Sequence, residues 1–391
     1  MEKIVSGTAP PTATSTLAAI AIGFAAIYTL FHGKAQGFMM LLFIIIIVVL
    51  FVTNTTSLST NYGEGFQNSN ESVSVDNAEQ ATLVNLQMMT CRLPPPFTTE
   101  QQRDPETSLK NYITDALTKG CRTFFLDIDY RKSKSTGTTT YTPMLVYKKG
   151  GIAVSDNSCD IDTAFKTLVN TGFSNGIKNP SNPIVVILNI IRSPVENRLQ
   201  DTPTYLAYLD QIAAKIRPYE GNTLGISTVG NFRYYANEEA LISLSITAPD
   251  LQNKLIIVSN GSLHFYGTTK GPEHLNHYVN LRYFMNDPNG VEMNDTATAS
   301  VSDPVFAVVA NANSLSTVSG SEVETWSVGH IHKFVIALPA TNSPLMDQNM
   351  LPVLQLGVNS IPSYFNGEKP TTGYWGIGTP WVLRPEVLRA E

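Results

Sequence analysis

Two apolar runs open the chain, 17–31 (LAAIAIGFAAIYTLF) and 37–52 (GFMMLLFIIIIVVLFV), separated by the polar break HGKAQ. Each falls a little short of the roughly 20 residues that span a bilayer core, and flanking Thr, Ser and Gly make up the difference. The break, with His32 and Lys34, fits a tight turn at a headgroup surface. Residues 1–54 are therefore expected to form an N-terminal tail and a transmembrane helical hairpin. Lys3 and Lys34 lie on opposite sides of the first run and balance, which leaves its orientation open. A cleaved signal peptide followed by one anchor fits less well: Lys3 stands beside Glu2, and no A-x-A-like site follows the first run. Residues 55–80 are rich in Asn, Ser, Thr and Gly, and no Lys or Arg occurs between Lys34 and Arg92. Such a segment buries too little to fold alone and reads as a flexible tether spanning roughly 30 Å. It would hold the next domain off a membrane, with no positive charge to dock it.

From residue 81 short apolar strands alternate with amphipathic helices. The stretches 81–89, 122–129, 142–148, 182–191, 253–260, 333–339 and 351–359 read as strands. In 108–119, Leu109, Tyr112, Ile113, Ala116 and Leu117 fall on one helical face, and Gly120 ends the pattern. Helices are also expected over 162–170 and 204–216. The run NPIVVILNII is apolar on both faces, as in a parallel sheet covered on both sides. Alternation of this kind over 81–391 predicts an α/β fold, with a closed TIM-type (β/α) barrel as the leading case. Residues 286–326 are polar and read as a long insertion.

Composition narrows the partners. Only 15% of residues are charged, against roughly 25% in ordinary soluble domains. A net charge of -6 without a dense basic run excludes general affinity for nucleic acid. Cys91, Cys121 and Cys159 are an odd number with no CxxC spacing, which argues against a disulfide framework or a thiolate zinc site. Four Asn-x-Ser/Thr triplets, at Asn54, Asn70, Asn260 and Asn294, leave the compartment open.

SLKNYITDALTKGCRTFFLDID (108–129) resembles the X-box of phosphoinositide-specific phospholipase C, in which a helix ends in Gly-Cys-Arg and leads into a strand ending Glu-Leu-Asp. Pro143 to Tyr147 lies where that family has Pro-x-Ile-x-His, and PIVVILNI where it has Val-Ile-Leu-Ser-Leu-Glu. VLQLGVNSIP and GYWGIGTPWVLRPEVLR resemble its closing strand and C-terminal motif. The resemblance brackets residues 81–391 and implies a distorted (β/α) barrel.

The same resemblance implies two histidines as general base and acid, and a calcium ion on oxygen ligands. The histidines here are His32, His264, His274, His277, His330 and His332, so both matching positions are empty. The first falls near Cys91 and Arg92, and the second is Tyr147; a phenol is a poor substitute base at neutral pH. The family's calcium-ligand pair falls at Phe125 and Asp127, and a later carboxylate at Ile191. Some bacterial relatives carry an arginine in place of the metal. Strand alternation sets Phe125, Asp127 and Asp129 on one face. Asp127 is expected to pair with a cation, from Arg92, Lys148 or Arg192.

No catalytic residue, metal or cofactor is therefore expected, and the resemblance reads as that of a pseudoenzyme. His330 and His332 with Glu322 and Glu324, and His274 and His277 with Glu273, have metal-ligand types but read as ordinary polar loops and an exposed strand face. No G-x-S-x-G elbow supports a serine nucleophile. The leading expectation is a membrane-anchored structural or docking protein. Its partners would be a lipid bilayer and neighbouring proteins of an assembly, such as a minor capsid component at the inner membrane of a large virion. The alternatives are an active phosphoinositide phosphodiesterase with a rebuilt site, or a module that binds phosphoinositide head groups.

Overall fold

The fold is that of a computed structural model, which describes residues 81–135, 138–149, 152–177, 179–195, 198, 200–225, 244–261, 263–267, 269, 271–284, 307–317, 329–339, 352–364, 381–384 and 389. Contacts divide the chain between residues 68 and 69, and every described residue lies in the second unit. The expected hairpin, 1–54, and tether, 55–80, lie outside the described residues. Among the described residues no helix is long and apolar enough to cross a membrane.

In chain order the elements are β1 (Leu86–Met88), β2 (Thr90–Leu93), α1 (Pro105–Thr118), β3 (Thr123–Ser135), β4 (Thr138–Lys149), β5 (Ile152–Cys159), α2 (Ile161–Gly172), β6 (Ile184–Ile190) and α3 (Thr202–Ile216). There follow β7 (Leu255–Ser259), β8 (Leu281–Phe284), β9 (Ala307–Asn311), the single turn α4 (Ala312–Leu315), β10 (Phe334–Leu338) and β11 (Trp381–Leu383). The protein is thus mixed α/β with a parallel sheet. Strands β2, β3, β6, β7, β8, β9 and β10 pair in that order, all parallel. Parallel bridges from Ser360 to both Ile336 and Met88, and from Ser363 to Cys91, close this sheet on itself.

Alternation of side chains gives the ring two cores. Met88, Phe125, Ile187, Val258, Tyr283 and Ile336 pack together inside it. Phe124, Leu126 and Ile128 point the other way, against Leu109 and Ile113 of α1, Phe165 of α2 and Leu209 of α3. Each long helix is started by an aspartate whose carboxylate accepts a backbone N–H: Asp104 from Thr107, Asp160 from Asp162 and Asp201 from Thr204. Pro105 opens α1, and Gly120 at φ +97° follows its end, where a side chain would be strained.

β3 outlasts the barrel. Its parallel pairing to β6 ends at Ile128, and from Asp129 to Ser135 it pairs only with β4, antiparallel. β4 in turn pairs with β5.

Several expectations are corrected. The polar stretch 286–326 is not one insertion, because it holds β9, a stave of the barrel, and α4. The expected strand 351–359 is a helical turn at 352–355, and only from Asn359 does the chain join the sheet. His330 lies on helical backbone and His332 on the turn that follows it ahead of β10, not on a strand face; Glu322 and Glu324 lie outside the described residues. The expected strand 81–89 is a 3-10 turn, Leu83–Asn85, leading into β1.

Candidate functional site at the barrel mouth

The barrel interior is apolar where Phe125, Ile187 and Val258 lie in register. Two residues nearer the C-terminal ends of the strands it turns polar, with Asp127 beside Asn189. The C-terminal mouth is where a parallel barrel gathers its functional groups. Arg92, in register with Phe125 on β2, reaches this polar layer.

Arg92 donates from Nε to Asp127 Oδ2 at 2.6 Å and from Nη2 to Oδ1 at 3.2 Å. Asn189 Nδ2 donates to the same Oδ1 at 2.7 Å, and Asn260 extends the chain through Asn189 Oδ1 at 3.5 Å and the Ile190 carbonyl at 3.0 Å. Asp127 is 2% exposed and Arg92 9%. The guanidinium carbon lies 5.4 Å from the centre of the Phe125 ring and 5.7 Å from that of Tyr364. Tyr364 meets Tyr147 of β4 edge to face, with centroids 5.7 Å apart.

Burial is the largest single influence on Arg92 and opposes its charge, but the charge and hydrogen bonding of Asp127, with Tyr364 and Tyr283, together hold the guanidinium above the ordinary arginine value. Burial, with Asp127 near, also pushes the phenols of Tyr364 and Tyr283 upward despite the arginine. Both are therefore neutral hydroxyls at physiological pH. Tyr283 uses its hydroxyl on the Leu188 carbonyl, at 3.1 Å.

A guanidinium has five N–H donors in a planar fork. Asp127 takes two of those on Arg92, and among the described residues no acceptor meets the other three. Among the described residues, the mouth holds a fixed cation with spare donors and two aromatic rings close by. That is chemistry for an oxyanion, above all a phosphate or carboxylate.

The other expected positions divide. Arg192 does not pair with Asp127: its Nε donates to both oxygens of Asp129, at 2.8 and 2.9 Å, and it lies 4.6 Å over the Tyr130 ring. Cys91 points away from the mouth, into the core between strands and helices, because its neighbour Arg92 takes the inward face. Ile191 lies past the end of β6, where its N–H bonds the Ile128 carbonyl; the residue of β6 that faces Asp127 is Asn189. Lys148 is on β4 in register with Ala153. Phe125 lies in the apolar layer below the mouth, beside the Arg92 guanidinium, and Tyr147 packs on Tyr364, the other ring near that cation. Asn189, Asn260 and Tyr364 carry no sequence motif, although a lone polar residue inside VVILNI is a visible signal for the first.

Calcium does not fit this mouth. The place beside Asp127 is filled by a guanidinium, and one carboxylate with one amide falls short of the six to eight oxygens calcium takes. Away from the mouth, His274 Nδ1 lies 3.0 Å from Asp210, and His277 Nε2 lies 3.0 Å from Glu220. Among the described residues no three His, Cys, Asp or Glu side chains converge as a metal site requires.

No protein-family model matches the chain, and no curated protein does. Among solved structures it is similar to the apo form of a calcium-dependent phosphoinositol-specific phospholipase C from a Gram-negative bacterium, Pseudomonas sp.. The TM-score is 0.42 and the identity 12%, over 77% of this chain and 98% of that one. The expectation that this chain is not an enzyme is corrected here: the structure it resembles bears the name of an enzyme, and no observation on the described residues shows inactivity.

Proposed function

We propose that the barrel mouth binds the phosphodiester of a phosphoinositol head group, with Arg92 as its anion ligand, in a protein tethered to the membrane by residues 1–54. The observation that carries this reading is the Arg92 guanidinium: buried, fixed by Asp127, and with three N–H donors that no acceptor among the described residues meets, at the C-terminal end of the barrel. Asp127 and Asn189 hold the fork in place before any ligand arrives, which lowers the ordering cost of binding. Phe125 and Tyr364, 5.4 and 5.7 Å from the guanidinium carbon, put apolar surface beside the cation, which strengthens its attraction for a phosphate oxygen. The X-box-like order of residues 108–129 supports inositol as the group attached.

Cleavage of the diester at the same place is the second reading, and one feature favours it. A preorganised guanidinium supplies the stabilisation that the extra charge on a five-coordinate phosphorus requires. Tyr364 lies beside it, with Tyr147 packed on the Tyr364 ring, and these two side chains would have to handle the protons.

Calorimetric titration of the full chain with glycerophosphoinositol and with uncharged inositol tests the binding. The diester is expected to bind and inositol alone is not; equal binding of both, or of neither, contradicts the reading. Release of inositol phosphate from phosphatidylinositol micelles, assayed on the same preparation, tests the cleavage.

A further inference from the structure

The protein carries a net charge of -6, yet one projecting element has the opposite sign. Beyond Ile128 the β3–β4 pair leaves the barrel as a two-stranded ribbon, from Asp129 opposite Met144 to Ser135 opposite Thr138. Seven residues of strand reach roughly 20 Å. Arg131, Lys132, Ser133 and Lys134 are all exposed along it. No Asp or Glu occurs between Asp129 and Asp156, and among the described residues none of the three cations pairs with a carboxylate. The remaining ribbon positions are largely Ser and Thr.

The ribbon rises from the same end of β3 that carries Asp127, so its charge stands at the mouth. We propose that it is a docking arm for an anionic lipid bilayer. This rests on the head-group reading only for what the mouth would then meet at that surface. Three exposed cations on a projecting arm are attracted to a negative surface while the acidic remainder is repelled, which orients the barrel mouth first. A nucleic acid fits the arm less well, since its two tyrosines already pack on groups of the protein. Tyr130 packs edge to face on Tyr141 at 5.2 Å and on Tyr208 at 6.1 Å, and Lys132 lies 5.9 Å over Tyr141.

The test labels the full chain at Ser133→Cys with an environment-sensitive fluorophore, selective because Cys91, Cys121 and Cys159 are buried. The label reads the ribbon itself, whatever else in the chain meets lipid. Vesicles of phosphatidylcholine with phosphatidylserine are expected to shift its emission, and vesicles of phosphatidylcholine alone are not. High salt should abolish the shift. At about fivefold per cation, Arg131→Glu with Lys132→Glu and Lys134→Glu should make the docked state at least about a hundredfold rarer. Glycerophosphoinositol binding should be unchanged in that variant. A shift that ignores lipid charge, one that survives the triple reversal, or an equal shift with duplex DNA overturns the proposal. Docking without glycerophosphoinositol binding would overturn the head-group reading alone.

Discussion

Asp127 accepts three hydrogen bonds at 2% exposure, so its loss strands a buried guanidinium and an amide together. Removing one partner of such a pair costs about 3–5 kcal/mol. Asp127→Ala is expected to lose stability on that scale in urea unfolding, and calcium should leave the melting temperature of the wild-type chain unchanged. A calcium-dependent rise that vanishes in Asp127→Ala would restore a metal to the mouth. Strand parity alone was enough to set Phe125 and Asp127 on one face. It could not choose among three cations, because Arg192 lies beyond the end of β6, where parity no longer governs direction. Tyr364 was invisible for a related reason: it enters the mouth from an irregular segment with no period to read.

At the scale of elements, the buried thiols make the fold sensitive to alkali. Burial pushes Cys121 and Cys159 up to about 12 from an ordinary value near 9. Each therefore contributes stability that is complete below about pH 9 and lost as pH rises toward 12, because the unfolded chain sheds the proton first. Tyr219 and Tyr278, also raised to about 12 by burial, act in the same direction. Urea midpoints are expected to fall from pH 9 to pH 11, and Cys121→Ala should flatten the slope by up to about 1.4 kcal/mol per pH unit. An unchanged slope would mean that the thiol titrates normally. The three long helices and the buried strands β6, β7 and β10 were legible because each carries an unbroken pattern or run. Several others were not, among them β5 and β8, and two show why. LPVLQLGVN reads as a strand, but Pro352 starts a helical turn and Gly357, at φ +77°, ends it. β9, AVVAN, is too short to stand out from its polar flanks.

At the scale of the barrel, closure depends on Asn359. Its Nδ2 donates to the carbonyls of Leu86 at 2.7 Å and Val84 at 2.9 Å. Its Oδ1 accepts from the Val335 N–H at 2.6 Å and from Arg384 Nη2 at 2.5 Å. One buried side chain thus joins the first strand, the last stave and the C-terminal segment. Asn359→Ala would orphan several buried groups at about 1–3 kcal/mol each. A loss on the order of 3 kcal/mol or more is expected in urea unfolding, and a loss below about 1 kcal/mol would show that closure rests elsewhere. The α/β alternation that announces a barrel was plain in the sequence. The closing bridges were not, because they come from isolated residues at 360 and 363 and not from a strand. The account of function stands on the fork of Arg92, and calorimetry of Arg92→Lys with glycerophosphoinositol tests it most directly. Lysine keeps the charge beside Asp127 but not the planar array of donors. The account predicts at least about tenfold weaker binding in a chain that remains folded, the loss of one charged hydrogen bond being about 1.5–3 kcal/mol; wild-type affinity in Arg92→Lys would contradict it.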